Sequence, residues 1–208
     1  MPNAEKRALQ LSNLYYNQGL ERAEVRDLTG AVTKLRQSLL LNKRNTQARN
    51  LLGLVYLEYG EPVLSLREWV ISKNIRPGKN IANTYIDMVQ SNTSKLDTIN
   101  QSIKKYNQAL AYCRQDCLDL AVIQLKKVLS VNPNMISAYL LLGLLYLHAS
   151  DWKKAKKTLE KALTIDRNNT RALLYLKEVD EKLEEQDSFA NARRKPRDSV
   201  TFPRDNEV

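Results

Sequence analysis

Side-chain catalysis needs a base beside a nucleophile, a pair of carboxylates, a metal cluster or a phosphate-binding loop. The 208-residue chain offers little of this. It has one histidine, His148, and two cysteines, Cys113 and Cys117, four residues apart. Two thiols with one imidazole distant in sequence do not make a four-ligand zinc site. Small packing thiols account for the cysteines. The alternative, a redox pair, requires Cα atoms within about 6.8 Å. No glycine-rich phosphate loop is written. Asn92, Asn100 and Asn168 head glycosylation triplets, but the N-terminus, MPNAEKRALQ, has no apolar signal core, so these read as chance. The expectation is no enzyme, with no catalytic, cofactor-binding or metal-ligating residues. So few cysteines fit a reducing, cytoplasmic compartment.

Charge points the same way. The formal charge is +10, from 33 basic and 23 acidic residues, but the excess is spread along the chain. Residues 1–50 carry +5, 51–101 zero, 102–150 +3, 151–169 +3, 170–187 −3 and 188–208 +2. A dedicated nucleic-acid surface gathers its charge in one stripe. Solvated helix faces are the simpler reading, with a general attraction to acidic partners beside it. The basic run RRKPR, Arg193–Arg197, is too short to define a lipid or nucleic-acid site and reads as a solubilising linker. The strongest apolar run, Tyr139–Leu147, falls well short of the roughly twenty residues that span a bilayer.

The elements that carry these residues show themselves by repetition. NLLGLVYLEYG (50–60) and LLLGLLYLHAS (140–150) are nearly one phrase, with Gly53 and Gly143 90 residues apart. In both, the glycine is followed at +3 by Tyr, at +12 by a small residue, at +16 by a bulky apolar one and at +19 by another small residue. Leu, Ala, Lys, Glu, Asn and Gln dominate and β-branched runs are scarce, which favours helix.

The pattern resembles the tetratricopeptide repeat, a helix–turn–helix unit of about 34 residues. Its physics is packing. A small residue at the eighth place lets helix A approach its neighbour, and one at the twentieth seats helix B on helix A. In this frame the repeats are 12–45, 46–79, 102–135 and 136–169. The first carries Tyr15, Gly19, Ala31, Leu35 and Ser38, and the third Ala109, Tyr112, Ala121, Leu125, Val128 and Pro133. Arg22 replaces the usual Tyr in the first, and Lys43 and Arg167 replace proline near position 32 of the first and fourth.

The 90-residue interval is two repeats plus 22 residues, so an insertion, 80–101, separates the halves. Ile81, Ala82, Tyr85, Ile86 and Val89 predict a helix over 80–90 packing on the second repeat. Ser91–Ser94 predicts a turn, with Ser94 or Thr93 capping a helix that runs into the third repeat about two turns early. The insertion should bend or re-phase the array. Residues 170–187, with Ala172, Leu173, Leu176, Val179 and Leu183 on one face, predict a capping helix. The charged, aperiodic residues 188–208 predict a disordered basic tail or linker. The expected fold is all-α, a right-handed α-solenoid of antiparallel helix pairs over residues 1–187, interrupted by one inserted helix and closed by a C-terminal capping helix.

The resemblance implies a concave face built by helix A at repeat positions 2, 5, 9, 12 and 13. On this sequence it implies a groove containing Tyr16, Leu20, Asn50, Leu54, Leu57, Glu58, Tyr106, Leu110, Arg114, Leu140, Leu144 and Leu147, continued by Arg171, Leu174 and Glu178. Some members of the family bind chaperone C-termini through a Lys/Asn/Arg carboxylate clamp. The matching positions here, Tyr16, Leu20, Leu51, Ile103 and Asn107, do not supply one. The implied function is a non-enzymatic protein–protein interaction scaffold that holds a peptide or amphipathic helix in an apolar groove. The competing reading is that these leucines pack on neighbouring repeats, the inserted helix or the tail. One alternative is an RNA- or anionic-surface-binding array, which aromatic residues interleaved with basic ones would favour. Leucines outnumber them here, so a protein or peptide partner is expected rather than nucleic acid. The wording also resembles bacterial repeat regions joined to a short zinc ribbon or a membrane anchor. A second alternative is therefore the soluble portion of a membrane-associated assembly factor, touching membrane only through regions outside this chain.

Overall fold

The structure, a computed structural model, describes residues 2–194, with side chains described for 3–188. Ten helices follow in order among the described residues: α1 (Pro2–Glu24), α2 (Leu28–Leu41), α3 (Thr46–Glu58), α4 (Pro62–Ile75), α5 (Ala82–Gln90), α6 (Thr93–Arg114), α7 (Leu118–Val131), α8 (Ile136–His148), α9 (Trp152–Ile165) and α10 (Thr170–Arg194). The fold is all-α: antiparallel helix pairs α1–α2, α3–α4, α6–α7 and α8–α9 stacked as a solenoid, with α5 inserted and α10 closing the end.

The period is written into the backbone. Among the described residues, those with positive φ are Arg26, Gly60, Asp116 and Ser150 (60°, 75°, 58° and 57°). Each stands at the turn between the two helices of a pair. Arg26 and Gly60 are 34 residues apart, as are Asp116 and Ser150; Gly60 and Asp116 are 56 apart, one period plus 22. At each turn the next amide donates to a carbonyl five residues back: Asp27 to Arg22 (2.9 Å), Glu61 to Tyr56 (2.8 Å), Cys117 to Tyr112 (3.0 Å) and Asp151 to Tyr146 (2.9 Å). This left-handed helix ending satisfies carbonyls that the first helix would leave orphaned. Asp27 and Asp151 then cap the second helix, accepting from the amides of Gly30 (2.9 Å) and Lys154 (3.3 Å). At α4, Pro62 fills the first helical turn instead.

Within a pair, the glycine of the first helix abuts the bulky residue sixteen places on. A Cβ on Gly53 would lie 2.2 Å from Trp69 Nε1, and one on Gly143 would lie 2.6 Å from Leu159 Cδ2. Trp69, wholly buried, also donates to the carbonyl of Asn50 (3.1 Å) and packs its ring, tilted by 39°, against that of Tyr85 of α5. The insertion is thus tied to the second pair by apolar burial of Trp69, Ala82, Ile86 and Val89. Asn80 locks the connection, donating to the Ser72 carbonyl (3.0 Å) and accepting from Asn50 Nδ2 (3.0 Å) and the Ala82 amide (3.1 Å).

Two expectations shift at helix ends. The cap of α6 is Asn92, not Ser94 or Thr93: its side chain accepts from the Lys95 amide at 3.0 Å, so the helix opens one residue early. The final helix runs to Arg194, past 187, because nothing between Glu185 and Arg194 breaks it. The remainder of the expected tail, 195–208, lies outside the described residues.

The largest departure is the course of the array. It doubles back. Leu28, Ala31, Leu35, Ala48, Leu52, Val55 and Tyr56 of the first half share one core with Ile136, Ala162, Ile165 and Ala172 of the second. In an open solenoid each repeat touches only its neighbours. Here the first pair meets the fourth, and the second pair meets the junction before the fourth.

Candidate functional site

The seam between the halves is polar at its centre. Asp166, fully buried at the end of α9, accepts from the Thr29 amide (3.2 Å) and the Thr29 hydroxyl (2.6 Å). Because that hydroxyl proton is committed, the Tyr59 hydroxyl donates to Thr29 Oγ1 (3.2 Å). Asn169 Nδ2 donates to Tyr59 Oη (2.8 Å) and to Asp166 Oδ2 (3.0 Å), while its carbonyl caps α10 at Ala172 (3.0 Å). A buried carboxyl group needs hydrogen-bond partners, and Thr29 and Asn169 supply three. The Arg167 amide donates to the Arg26 carbonyl (2.9 Å) alongside.

A second patch of the seam lies one repeat away. Asn132 Nδ2 donates to the Gly60 carbonyl (3.0 Å), and the Ser137 hydroxyl to Glu61 Oε1 (3.0 Å). A Cβ on Gly60 would lie 2.5 Å from the Met135 backbone. Glycine is required there twice, by positive φ and by this approach. Burial pushes the Glu61 carboxyl above its ordinary range, and the Ser137 hydroxyl pulls partly against it. Burial likewise raises the Tyr59 and Tyr106 hydroxyls.

An open pocket of about 380 Å³ sits along this seam. Its walls are Ser137, Leu140, Leu141 and Leu144 of α8, Tyr106 of α6, and Thr170, Arg171 and Tyr175 of α10, with Thr29, Tyr59 and Asn169 at the network end. Positions 137, 140, 141 and 144 recur at helical spacing, so one face of α8 forms the wall.

Of the residues expected to form the groove, Tyr106, Leu140 and Leu144 come together here, with Arg171 beside them. Leu144 is 38% exposed. The others are elsewhere. Leu54 and Leu57, half-buried, pack on the cluster of Trp69, Ile86 and Val89, and Leu57 lines a separate pocket of about 150 Å³ with Ile99 and Ser102 of α6. The Asn50 amide is held by Asn80. Tyr16 packs on the shared core and Leu147 on the cluster of Ala155, Leu159 and Val179. Leu20, Glu58 and Arg114 are exposed and Leu110 half-buried, none of them lining this pocket. Sequence reasoning missed Thr29, Tyr59 and Asn169. Their only signal was polarity at turn positions, which is ordinary.

The chemistry-bearing side chains stay apart from the pocket. His148 is exposed in the last turn of α8. Cys113 and Cys117 are free thiols; burial raises the Cys113 thiol, making it a poor nucleophile. Among the described residues no group of three or more His, Cys, Asp or Glu could hold a metal ion, and no helix is long and apolar enough to cross a membrane.

Residues 136–169, the α8–α9 pair, match the family model of the tetratricopeptide repeat. The turn of that pair recurs three times more, in the same register. The chain thus carries a tetratricopeptide repeat over residues 136–169. No curated protein matches it. Among solved structures it is similar to MamA (18% identity, 89% of each chain, TM-score 0.39). It is also similar to PilF of Pseudomonas aeruginosa (19%, 92% of this chain and 74% of that, TM-score 0.36). A third is the tetratricopeptide-repeat domain of P58(IPK) (16%, 90% and 52%, TM-score 0.44).

Proposed function

We propose that this repeat protein is a non-enzymatic scaffold that holds a peptide or the apolar face of an amphipathic helix in the seam pocket. The observation that carries this reading is the composition of the pocket wall. Leu140, Leu141 and Leu144 form an apolar strip at helical spacing, closed by Tyr106 and Tyr175 and edged by Arg171 and Ser137. Such a strip takes alternate apolar side chains of a ligand helix, and the polar edge fixes its direction. Arg171 suits a carboxylate of the ligand. The bound segment is short, because Leu54 and Leu57, where a full-length groove would continue, do not line this pocket and pack on the cluster of Trp69, Ile86 and Val89.

Peptides selected from a random displayed library against the protein test this. Selected sequences should carry apolar residues at helical spacing. They should bind Leu144→Glu at least about tenfold more weakly, a loss of about 1.4 kcal/mol. Leu40→Glu, at a 78%-exposed position outside the pocket, should leave binding unchanged. Equal binding to wild type and folded Leu144→Glu removes the reading.

A further inference from the structure

The face of α8 opposite the pocket lines a separate groove. Tyr139, Leu142 and Tyr146 lie about half a turn around the helix from Ser137, Leu140, Leu141 and Leu144, at about 100° per residue. They floor a groove of about 460 Å³ between α7 and α9. Its rim is Lys126 of α7 and Lys154, Lys157 and Lys161 of α9, and no carboxylate lines it. Spacing makes the stripe: 154, 157 and 161 share one face of α9. The next face is separately neutralised, with Lys156 paired to Asp180 (2.8 Å). Among the described residues Lys126, Lys157 and Lys161 form no ion pair, while Lys154 pairs with Asp151.

We infer that this groove between α7 and α9 is a second docking surface, for an acidic peptide segment with apolar side chains between its carboxylates. Three ammonium groups without a carboxylate partner, Lys126, Lys157 and Lys161, leave a positive field around an apolar floor among the described residues, and a ligand carboxylate answers it without burying a charge unpaired. The floor takes the intervening apolar side chains. Single-stranded RNA fits less well. The Tyr146 ring already carries the ammonium groups of Lys126 (5.9 Å) and Lys154 (5.8 Å), so it is not presented bare for base stacking.

Fluorescence anisotropy with a labelled short Glu/Leu peptide tests this, against the same peptide with Lys for Glu and against single-stranded oligouridine. The Glu peptide should bind at about 50 mM salt and weaken at about 200 mM, as screening shortens. Lys126→Glu/Lys157→Glu/Lys161→Glu should weaken binding at least about tenfold. The milder Lys→Gln triple variant should fall between, and Leu40→Glu, exposed and outside both the groove and the seam pocket, should bind as wild type. Three outcomes overturn the proposal: no binding of the Glu peptide at low salt, undiminished binding to both triple variants with native helicity, or binding of the RNA but not the peptide through these lysines.

Discussion

One turn occurs four times in this molecule, and it has two fates. The turns at Arg26 and Gly60 are built into the seam. The Arg26 carbonyl receives the Arg167 amide, and the Gly60 carbonyl receives Asn132. The turns at Asp116 and Ser150 face solvent. Backbone geometry is the same at all four. What differs is what lies against them. A repeat sequence therefore specifies the turn, while contact with a distant segment makes two of the four indispensable. The arrangement is also ordered: the first pair faces the end of the fourth and the second faces the junction before it, so the halves run antiparallel along the seam.

The contrast can be broken from the seam side first. Gly60→Val forces a β-branched residue into positive φ and its Cβ onto the Met135 backbone. It should cost about 4 kcal/mol, from about 1–2 of backbone strain plus overpacking. Because the helix pairs remain, X-ray scattering should show a larger radius of gyration at nearly native helicity. A compact variant of wild-type stability in urea would show that the seam does not depend on this approach.

Asp166→Ala should cost about 3 kcal/mol, since it strands the Thr29 amide, the Thr29 hydroxyl and the Asn169 amide in a buried site. Chemical denaturation measures the loss. Tyr59→Phe removes only the hydroxyl shared between Thr29 and Asn169 and should cost about 1 kcal/mol.

Ser150→Gly probes the solvent-facing fate. It relieves a positive φ at an exposed position and should stabilise by about 0.5 kcal/mol, opposite in sign to the change at Gly60. A destabilised Ser150→Gly would mean the two turns differ in more than their surroundings.

The smallest effect is with pH. Glu61 has its native pKa raised by burial, so the native state binds this proton more tightly than the unfolded chain. Its contribution favours folding at low pH and is lost as pH rises from the ordinary glutamate value through the raised native one. Glu61→Gln should flatten that part of the stability profile and slightly raise stability at neutral pH. Asp27 runs the other way. Burial would raise its carboxyl, but the Gly30 amide and Arg22 outweigh burial and hold it below its ordinary value. Its stabilisation is present at neutral pH and lost on acidification, as the carboxyl protonates through its lowered native pKa.

Much of the fold was legible in the sequence because its signals are local. Gly53 with Trp69 and Gly143 with Leu159 announce close helix pairs through residue size at fixed spacing. Tyr85 and Ile86 announce an inserted helix at helical spacing, and it packs on the second pair through Trp69. The candidate pocket was legible only in part. Tyr106, Leu140 and Leu144 stood out as apolar positions on the inner faces of two helices. Leu54 and Leu57 share that description yet pack on the cluster of Trp69, Ile86 and Val89 instead of lining the seam pocket. No spacing rule distinguishes an apolar residue awaiting a ligand from one awaiting a neighbouring helix. Thr29, Tyr59 and Asn169 were invisible, since their partners lie 30 to 137 residues away.

The amino-acid order alone determined the helix pairs, their 34-residue period, the 22-residue break and the all-helical class. These follow from interactions within one or two turns or across one tight connection, where the number of competing partners is small. Tertiary structure alone decided that the array folds back on itself, that two of four equivalent turns become a seam, and that the seam leaves a pocket on one face of α8 and a lysine-rimmed groove on the other. Those outcomes rest on contacts such as Thr29 with Asp166, more than a hundred residues apart. A contact at that separation exists only after the intervening helices have set an angle, and that angle is a sum of many small packing choices that no single stretch of sequence contains.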